Sequence, residues 1–118
     1  MFDLALMKPI FRGGRIVAYA MSITHLPDIG GMGFSAAATE IYHEGLRLPI
    51  WKLFAAGQRD ETLIELIKLN VRVPEQVLGD IMASVSCLEV VDRQLGEFLS
   101  EAGLADVDDL AVSIIDQT

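Results

Sequence analysis

The residues best suited to chemistry lie in one short stretch between positions 24 and 31. His25 and Asp28 stand three positions apart there, followed by the glycine pair Gly30 and Gly31. An imidazole nitrogen and a carboxylate oxygen are ordinary ligands of a divalent cation. The pattern therefore permits a metal site. It equally permits a histidine at the end of a strand that donates a hydrogen bond to a neighbouring aspartate.

Other reactive side chains give less specific signals. His43, beside Glu44, suits a further metal ligand or a proton shuttle, although a histidine among charges is commonly a surface residue. Asp3 in isolation is an acid near the chain terminus. Cys87 lies in a run of small residues on a predicted helix, without an acid–base pair nearby in the sequence. We therefore expect a buried structural thiol there and not a nucleophile.

The first half of the chain is predicted to consist of strands and loops. Apolar runs at 4–11 and 16–23 flank a glycine pair, which predicts a β-hairpin because glycine accepts the positive φ of a tight turn. Both runs are almost continuously apolar, so we expect both faces of the hairpin to be covered. A glycine-rich loop is predicted over 27–38 and short extended pieces over 40–54. Trp51 and Tyr42 are predicted anchors of a core or an interface.

The second half shows helical periodicity. A first helix is predicted from Asp60 to about Asn70, and a long amphipathic helix from Pro74, a residue favoured at helix starts, to about Glu101 before Gly103. A short last helix is predicted over 106–115, capped by Asp106, with Leu110 and Ile114 inward. The expected apolar face of the first helix is Leu63, Ile64, Leu66 and Ile67. The expected stripe of the long helix is Val77, Ile81, Val85, Leu88, Val91, Leu95 and Phe98 or Leu99.

These elements predict the α+β class: an N-terminal β-hairpin or small sheet, a glycine-rich loop and a helical C-terminal half with one long amphipathic helix. We interpret residues 1–118 as a single partial domain, with a β and loop part over 1–58 and a helical part over 59–118. The hydrophobic content of 52% is high for a small free-standing domain and indicates apolar faces that need a partner.

Charge and composition exclude several classes of function. Residues 1–59 carry six basic and four acidic side chains, whereas residues 60–118 carry three basic and thirteen acidic ones. The helical half is therefore strongly acidic. This argues against nucleic-acid binding, which requires clustered Lys and Arg. We see no signal-peptide pattern and no apolar run approaching the roughly 20 residues of a membrane span. With a single cysteine, we expect a reducing, cytoplasmic location and no membrane contact.

Three motifs occur in order along the chain and together resemble the hydantoinase B/oxoprolinase family. They have the patterns H-x-x-D-I-G-G, E-G-L-R-x-P and N-V-R-x-P. In this sequence they are Thr24-His25-Leu26-Pro27-Asp28-Ile29-Gly30-Gly31, Glu44-Gly45-Leu46-Arg47-Leu48-Pro49 and Asn70-Val71-Arg72-Val73-Pro74. The resemblance covers essentially the whole chain. The family includes N-methylhydantoinase B subunits, the C-terminal half of 5-oxoprolinase, and subunits of caprolactamase and acetone carboxylase.

The resemblance implies a particular metal site. It matches Asp3 to the aspartate of an earlier His-Leu-Pro-Asp motif, whose histidine would fall immediately before Met1. The ligands that remain are then Asp3 and His25, which meet if the end of the second strand lies beside the start of the first. Asp28, Gly30 and Gly31 become residues that order the loop around the site, and His43 has no counterpart among the ligands.

The resemblance also implies a reaction and a partner. Family members are several times longer than this chain and act with a hydantoinase A-like subunit that uses ATP, around a divalent metal such as Zn, Mn or Fe. We therefore expect an internal slice of a B-type subunit whose parent hydrolyses a hydantoin-like or 5-oxoproline-like cyclic amide. With two ligands instead of three or four, little activity is expected from the chain alone. The alternative is a non-catalytic remnant that forms homo-oligomers through its apolar faces.

Overall fold

A computed structural model describes residues 3–33 and 35–116, and it confirms the α+β class. The strands are β1 (Asp3–Arg12), β2 (Arg15–His25), β3 (Phe54–Ala55) and β4 (Gln58–Arg59). The α-helices are α1 (Glu61–Asn70), α2 (Pro74–Glu101) and α3 (Asp108–Asp116), and a 3-10 turn spans Ile41–Glu44. Among the described helices, none is long and apolar enough to cross a lipid bilayer.

The chain divides into two compact units. The first contains residues 3–4 and 23–83, and the second contains residues 5–22 and 84–116. The first hairpin and the long helix α2 contribute residues to both units, so neither unit is purely strand or purely helix.

Strands β1 and β2 form the predicted antiparallel hairpin. The turn residues Gly13 and Gly14 have φ values of 57° and 79°, the left-handed conformation that a two-residue hairpin turn requires. The expectation that both faces are covered is wrong for the described residues. Burial alternates along the strands, and side chains such as Met7, Tyr19 and Met21 are at least 60% exposed. Alternate side chains point to opposite faces of a strand, and here only one face is buried.

In the second unit, the buried face of the hairpin packs against α2. Ile10 and Ala20 from the strands form a core cluster with Leu88 of the helix. Beside it, the Lys8 Nζ lies 2.6 Å from Glu89 Oε2 and 2.7 Å from Asp92 Oδ2. Burial would lower the pKa of Lys8, but its hydrogen bonds to these two carboxylates outweigh burial and raise it. Strand β1 and helix α2 are thus held together by apolar contacts and by the ion pairs of Lys8.

In the first unit, α1 and the start of α2 supply most of the buried apolar side chains. These are Leu63, Ile64, Ile67, Val77 and Ile81, and Leu26 joins them from the loop after β2. Leu66 was expected on the same face of α1 but is 41% exposed, because the buried positions recur at intervals of three and four residues and place it on the flank.

The predicted helix ends are largely confirmed. Asp60 caps α1 by accepting a hydrogen bond from the backbone N–H of Leu63 at 3.0 Å, and α2 begins at Pro74. That bond, together with one from the Trp51 indole, lowers the pKa of Asp60. Gly103 has a φ of 69°, and the N–H of the residue after it, Leu104, bonds back to the carbonyl of Leu99. This is the glycine-terminated helix end that the sequence predicts.

Several finer predictions for the helices are corrected. Along α2 the inward positions are Val77, Ile81, Ser84, Leu88, Leu95 and Leu99. The helical rotation therefore leaves Val91 and Phe98 about 40% exposed, and Leu99 is the inward member of the alternative pair. Helix α3 begins at Asp108, two residues later than expected, where Asp106 accepts a hydrogen bond from the Asp108 N–H.

Two side chains expected inside, and two expected to anchor a core or an interface, are exposed. Ile114 of α3 is 56% exposed, and Cys87 lies one position off the buried stripe of α2 and is also exposed. Trp51 and Tyr42 are 54% and 77% exposed, so neither is a core anchor in the described part of the chain. The segment expected to be extended over 40–54 contains the 3-10 turn Ile41–Glu44.

Candidate functional site

The structure brings Asp3 and His25 together. Asp3 opens β1 and His25 closes β2, so antiparallel pairing places the two ends side by side. His25 Nδ1 is in direct contact with Asp3 Oδ1. Both side chains are accessible, with 65% of His25 and 41% of Asp3 exposed. Of the two partners that the sequence offers for His25, the contact is therefore with Asp3.

The Asp3–His25 pair has the right donor types for a divalent cation but too few donors to enclose one. A carboxylate oxygen and an imidazole nitrogen suit Zn, Mn or Fe. Within residues 3–33 and 35–116, however, no group of three or more His, Cys, Asp or Glu side chains is placed to hold a metal ion. The pair fits as part of a coordination sphere, and a complete site needs further ligands.

The environment of the Asp28 side chain differs from that of His25. Its side chain is buried, and Oδ1 accepts hydrogen bonds from the Gly30 N–H at 2.9 Å and from Arg72 Nη1 at 2.6 Å. Oδ2 accepts a further bond from the backbone N–H of Arg72. Burial by itself would raise the pKa of Asp28, but these hydrogen bonds and the guanidinium charge outweigh it and hold that pKa below its usual range.

Arg72 is the residue that sequence reasoning missed. Besides its bonds to Asp28, its Nη2 donates to the carbonyl of Gly31 at 2.7 Å. One guanidinium thus holds both the Asp28 carboxylate and the backbone of the loop over residues 28–33, which we call the glycine loop. The only sequence signal for Arg72 is its place in the N-V-R-x-P motif, which gives no indication of its partner.

The glycine loop interlocks with the segment that follows the 3-10 turn. Leu46 N–H donates to the carbonyl of Ile29 at 2.7 Å, and Met32 N–H donates to the carbonyl of His43 at 3.1 Å. Through the backbone, these bonds pair the loop with the 3-10 turn at His43 and with the E-G-L-R-x-P segment at Leu46.

Three glycines make this close approach possible. A Cβ on Gly31 would collide with the backbone of His43 and Gly45, and one on Gly45 would collide with the carbonyl of Ile29. A Cβ on Gly30 would lie 2.7 Å from the carbonyl oxygen of Asn70. All three glycines also have positive φ. The backbone here is therefore fixed by contacts that only glycine permits.

A groove of about 450 Å³ opens between these interlocked segments. It is lined by Ile29, Gly30, Gly31, Tyr42, Gly45, Leu46, Arg47 and Asn70. Arg47 is the charged residue in this lining, and no carboxylate contributes to it.

Both ring nitrogens of His43 contact residues that lie close to it in the sequence. Nε2 lies 3.1 Å from Glu40 Oε1, and Nδ1 accepts a hydrogen bond from the Thr39 N–H at 3.3 Å. This pairing is local to the segment, and the His43 side chain is 35% exposed.

The comparison with known proteins decides the family. A family model described as hydantoinase B/oxoprolinase matches residues 1–118. The chain belongs to this family. Among its relatives, caprolactamase subunit beta from Pseudomonas jessenii is 40% identical over 108 residues, which cover 89% of this chain and 19% of that protein. An uncharacterized protein from Methanocaldococcus jannaschii is 35% identical over 104 residues, covering 86% of this chain and 18% of its own length.

A solved structure agrees with the fold. The crystal structure of ATP-dependent caprolactamase from Pseudomonas jessenii superimposes with a TM-score of 0.83 at 37% sequence identity. The match covers 98% of this chain and 20% of the crystallised one. The chain thus spans about a fifth of the length of the relatives that it matches.

Proposed function

We propose that this chain serves, as part of a hydantoinase B-type subunit, in the ATP-linked hydrolysis of a cyclic amide. The observation that carries the proposal is the match of the whole chain to the hydantoinase B/oxoprolinase family, together with the contact between Asp3 and His25. The similarity to a caprolactamase subunit supports a lactam, hydantoin or 5-oxoproline-like ring as the substrate class.

Asp3 and His25 are the residues that we assign to a divalent metal. A divalent cation held by these residues would polarise the carbonyl group of an amide and so make its carbon more susceptible to attack by water. Asp3 contributes a hard oxygen donor and His25 a nitrogen donor from the adjacent strand. Their exposure leaves room for a substrate and for ligands from outside this segment.

The glycine loop is proposed to form a wall of this site. It begins three residues after His25 and is held by Asp28, whose carboxylate bonds to Gly30 and Arg72. Because Asp28 is buried and fully engaged, we assign it to ordering the loop and not to binding the metal.

ATP is proposed to act through a partner. The sequence contains no Gly-x-x-x-x-Gly-Lys phosphate loop, while the crystallised relative is described as ATP-dependent and a curated relative as a subunit beta. We therefore propose a hydantoinase A-like partner subunit that supplies the ATP-dependent step.

A second candidate role is that of a non-catalytic module that forms homo-oligomers. The exposed apolar face of the hairpin favours it, with Met7, Phe11, Tyr19 and Met21 each about 60% exposed. Apolar surface of this extent commonly marks an interface. Sedimentation at micromolar concentration tests this role, because a strictly monomeric particle contradicts it.

The metal assignment is tested by measuring Zn and Mn binding calorimetrically in the purified chain and in Asp3→Ala, His25→Ala and His43→Ala. Loss of either proposed ligand is expected to weaken binding by about tenfold or more, whereas His43→Ala serves as a matched control and leaves it unchanged. Metal binding that persists in both Asp3→Ala and His25→Ala contradicts the assignment. Turnover of caprolactam, hydantoin or 5-oxoproline by these 118 residues without a partner would show that the chain holds a complete site by itself.

A further inference from the structure

One motif remains without a role in the proposed metal site. The E-G-L-R-x-P segment contributes Arg47, an exposed residue, to the lining of the groove beside the glycine loop, together with Tyr42 and Asn70. We propose that this groove is a binding site for a small oxyanion, a phosphate or a carboxylate group, with Arg47 as the residue that binds it.

The state of Arg47 supports this assignment. In the part of the chain that the structure describes, no hydrogen bond or ion pair engages its guanidinium. Arg59 and Arg72, in contrast, are both paired with carboxylates. A guanidinium presents a planar fork of N–H donors that matches a carboxylate or a phosphate, so an unpaired one at a groove is suited to such a ligand.

Two carboxylates near the groove are engaged with other residues. Asp28 is paired with Arg72, and Glu40 is engaged with His43. Although the whole chain carries a net charge of −8, the groove lining contributes one positive charge and no negative one.

The groove is built in advance of any ligand. Its walls are the two segments joined by the Leu46–Ile29 and Met32–His43 backbone hydrogen bonds, and the glycines fix their spacing. The amide nitrogen of Asn70 already donates to the Leu66 carbonyl at 2.7 Å, which fixes that side chain. A ligand therefore does not have to order the walls, and the cost of binding is lower for that reason.

The test is a two-dimensional NMR titration of the metal-free chain with inorganic phosphate and, separately, with acetate, at constant ionic strength maintained with NaCl. Saturable shifts are expected in the backbone resonances of Gly30, Gly31, Gly45 and Arg47. Arg47→Gln is expected to weaken the affinity by about tenfold, because a charge-assisted hydrogen bond is lost, and Arg47→Lys by less. Arg93→Gln is the control, since Arg93 is an exposed arginine of α2 that does not line the groove.

Saturation with phosphate alone, acetate alone or both supports the oxyanion site and identifies the preferred group. Unchanged resonances, or an equal affinity in Arg47→Gln and the parent chain, overturn it. The titration uses neither metal nor substrate, so its outcome is independent of the Asp3–His25 assignment.

Discussion

The Asp28 carboxylate accepts three hydrogen bonds, two of which come from Arg72, 44 positions away in the sequence. Two of the donors belong to Arg72 itself, its backbone N–H and its guanidinium, and the third is the Gly30 N–H. The Asp28 side chain is buried, whereas the Arg72 side chain is 61% exposed. The buried carboxylate therefore needs the hydrogen bonds of the pair in place of water, while Arg72 can still be solvated. This contact connects the loop after β2 to the segment between α1 and α2.

Replacing Asp28 by Asn is expected to destabilise the chain. The amide oxygen can still accept from Gly30, but the charge that pairs with Arg72 is lost. A loss of about 2 kcal/mol in the free energy of unfolding is expected, less than for a fully buried pair because Arg72 is accessible to water. Urea denaturation measures it. Asp80→Asn is the control, because Asp80 is exposed on α2, and its effect should stay within about 0.5 kcal/mol. Equal effects of the two substitutions would refute the importance of the pair.

The same pair predicts a dependence of stability on pH. The pKa of Asp28 is lower in the folded chain than its usual value of 3.8, so the folded state favours the ionised carboxylate. Its stabilising effect is therefore complete above the unfolded pKa and is lost as the pH falls through the lower, folded pKa. We expect the stability difference between the parent chain and Asp28→Asn to shrink below about pH 4. Urea melts of both proteins at descending pH measure it, and a constant difference contradicts the prediction.

Gly31 is expected to tolerate alanine less well than Gly33. Both have positive φ, at 66° and 89°, but a Cβ on Gly31 meets the backbone of His43 and Gly45 whereas one on Gly33 meets nothing within 4 Å. Gly33→Ala therefore carries only the cost of the backbone conformation, about 1 kcal/mol. Gly31→Ala adds a steric collision, for a further loss of about 2 kcal/mol. Denaturation of the two variants compares them directly, and equal losses would show that the segments are not interlocked in solution.

Asp60 is expected to stabilise α1 and to fix Trp51 at the same time. Its Oδ1 accepts from the Leu63 N–H at 3.0 Å and its Oδ2 from the Trp51 indole at 2.9 Å. Asp60→Ala removes both bonds, so we expect a lower thermal midpoint and a shift in tryptophan fluorescence. Trp51→Phe removes only the indole bond and is expected to lower the midpoint less. A larger effect of Trp51→Phe would contradict the role of Asp60 as the helix cap.

The proposed metal ligands show how much of a site can be predicted from the sequence. Spacing alone paired His25 with Asp28, because the two are close in sequence and both are ordinary ligands. The resemblance to the family paired His25 with Asp3 instead, and the structure places these two side chains in contact. Whether they hold a metal remains a prediction, since a third ligand is absent from the part of the chain that the structure describes.

The sequence by itself determined the features whose signals are local. The glycine pair at 13–14 produces the hairpin turn, Asp60 caps α1, Pro74 starts α2 and Gly103 ends it, because each acts on backbone groups within a few residues. The order of the three motifs likewise identified the family. Only the tertiary structure decided that Arg72 holds Asp28, that one face of the hairpin is exposed, and that Arg47 lines a groove with Gly31. Those relationships join segments distant in sequence, and local propensities contain no information about which distant residues meet.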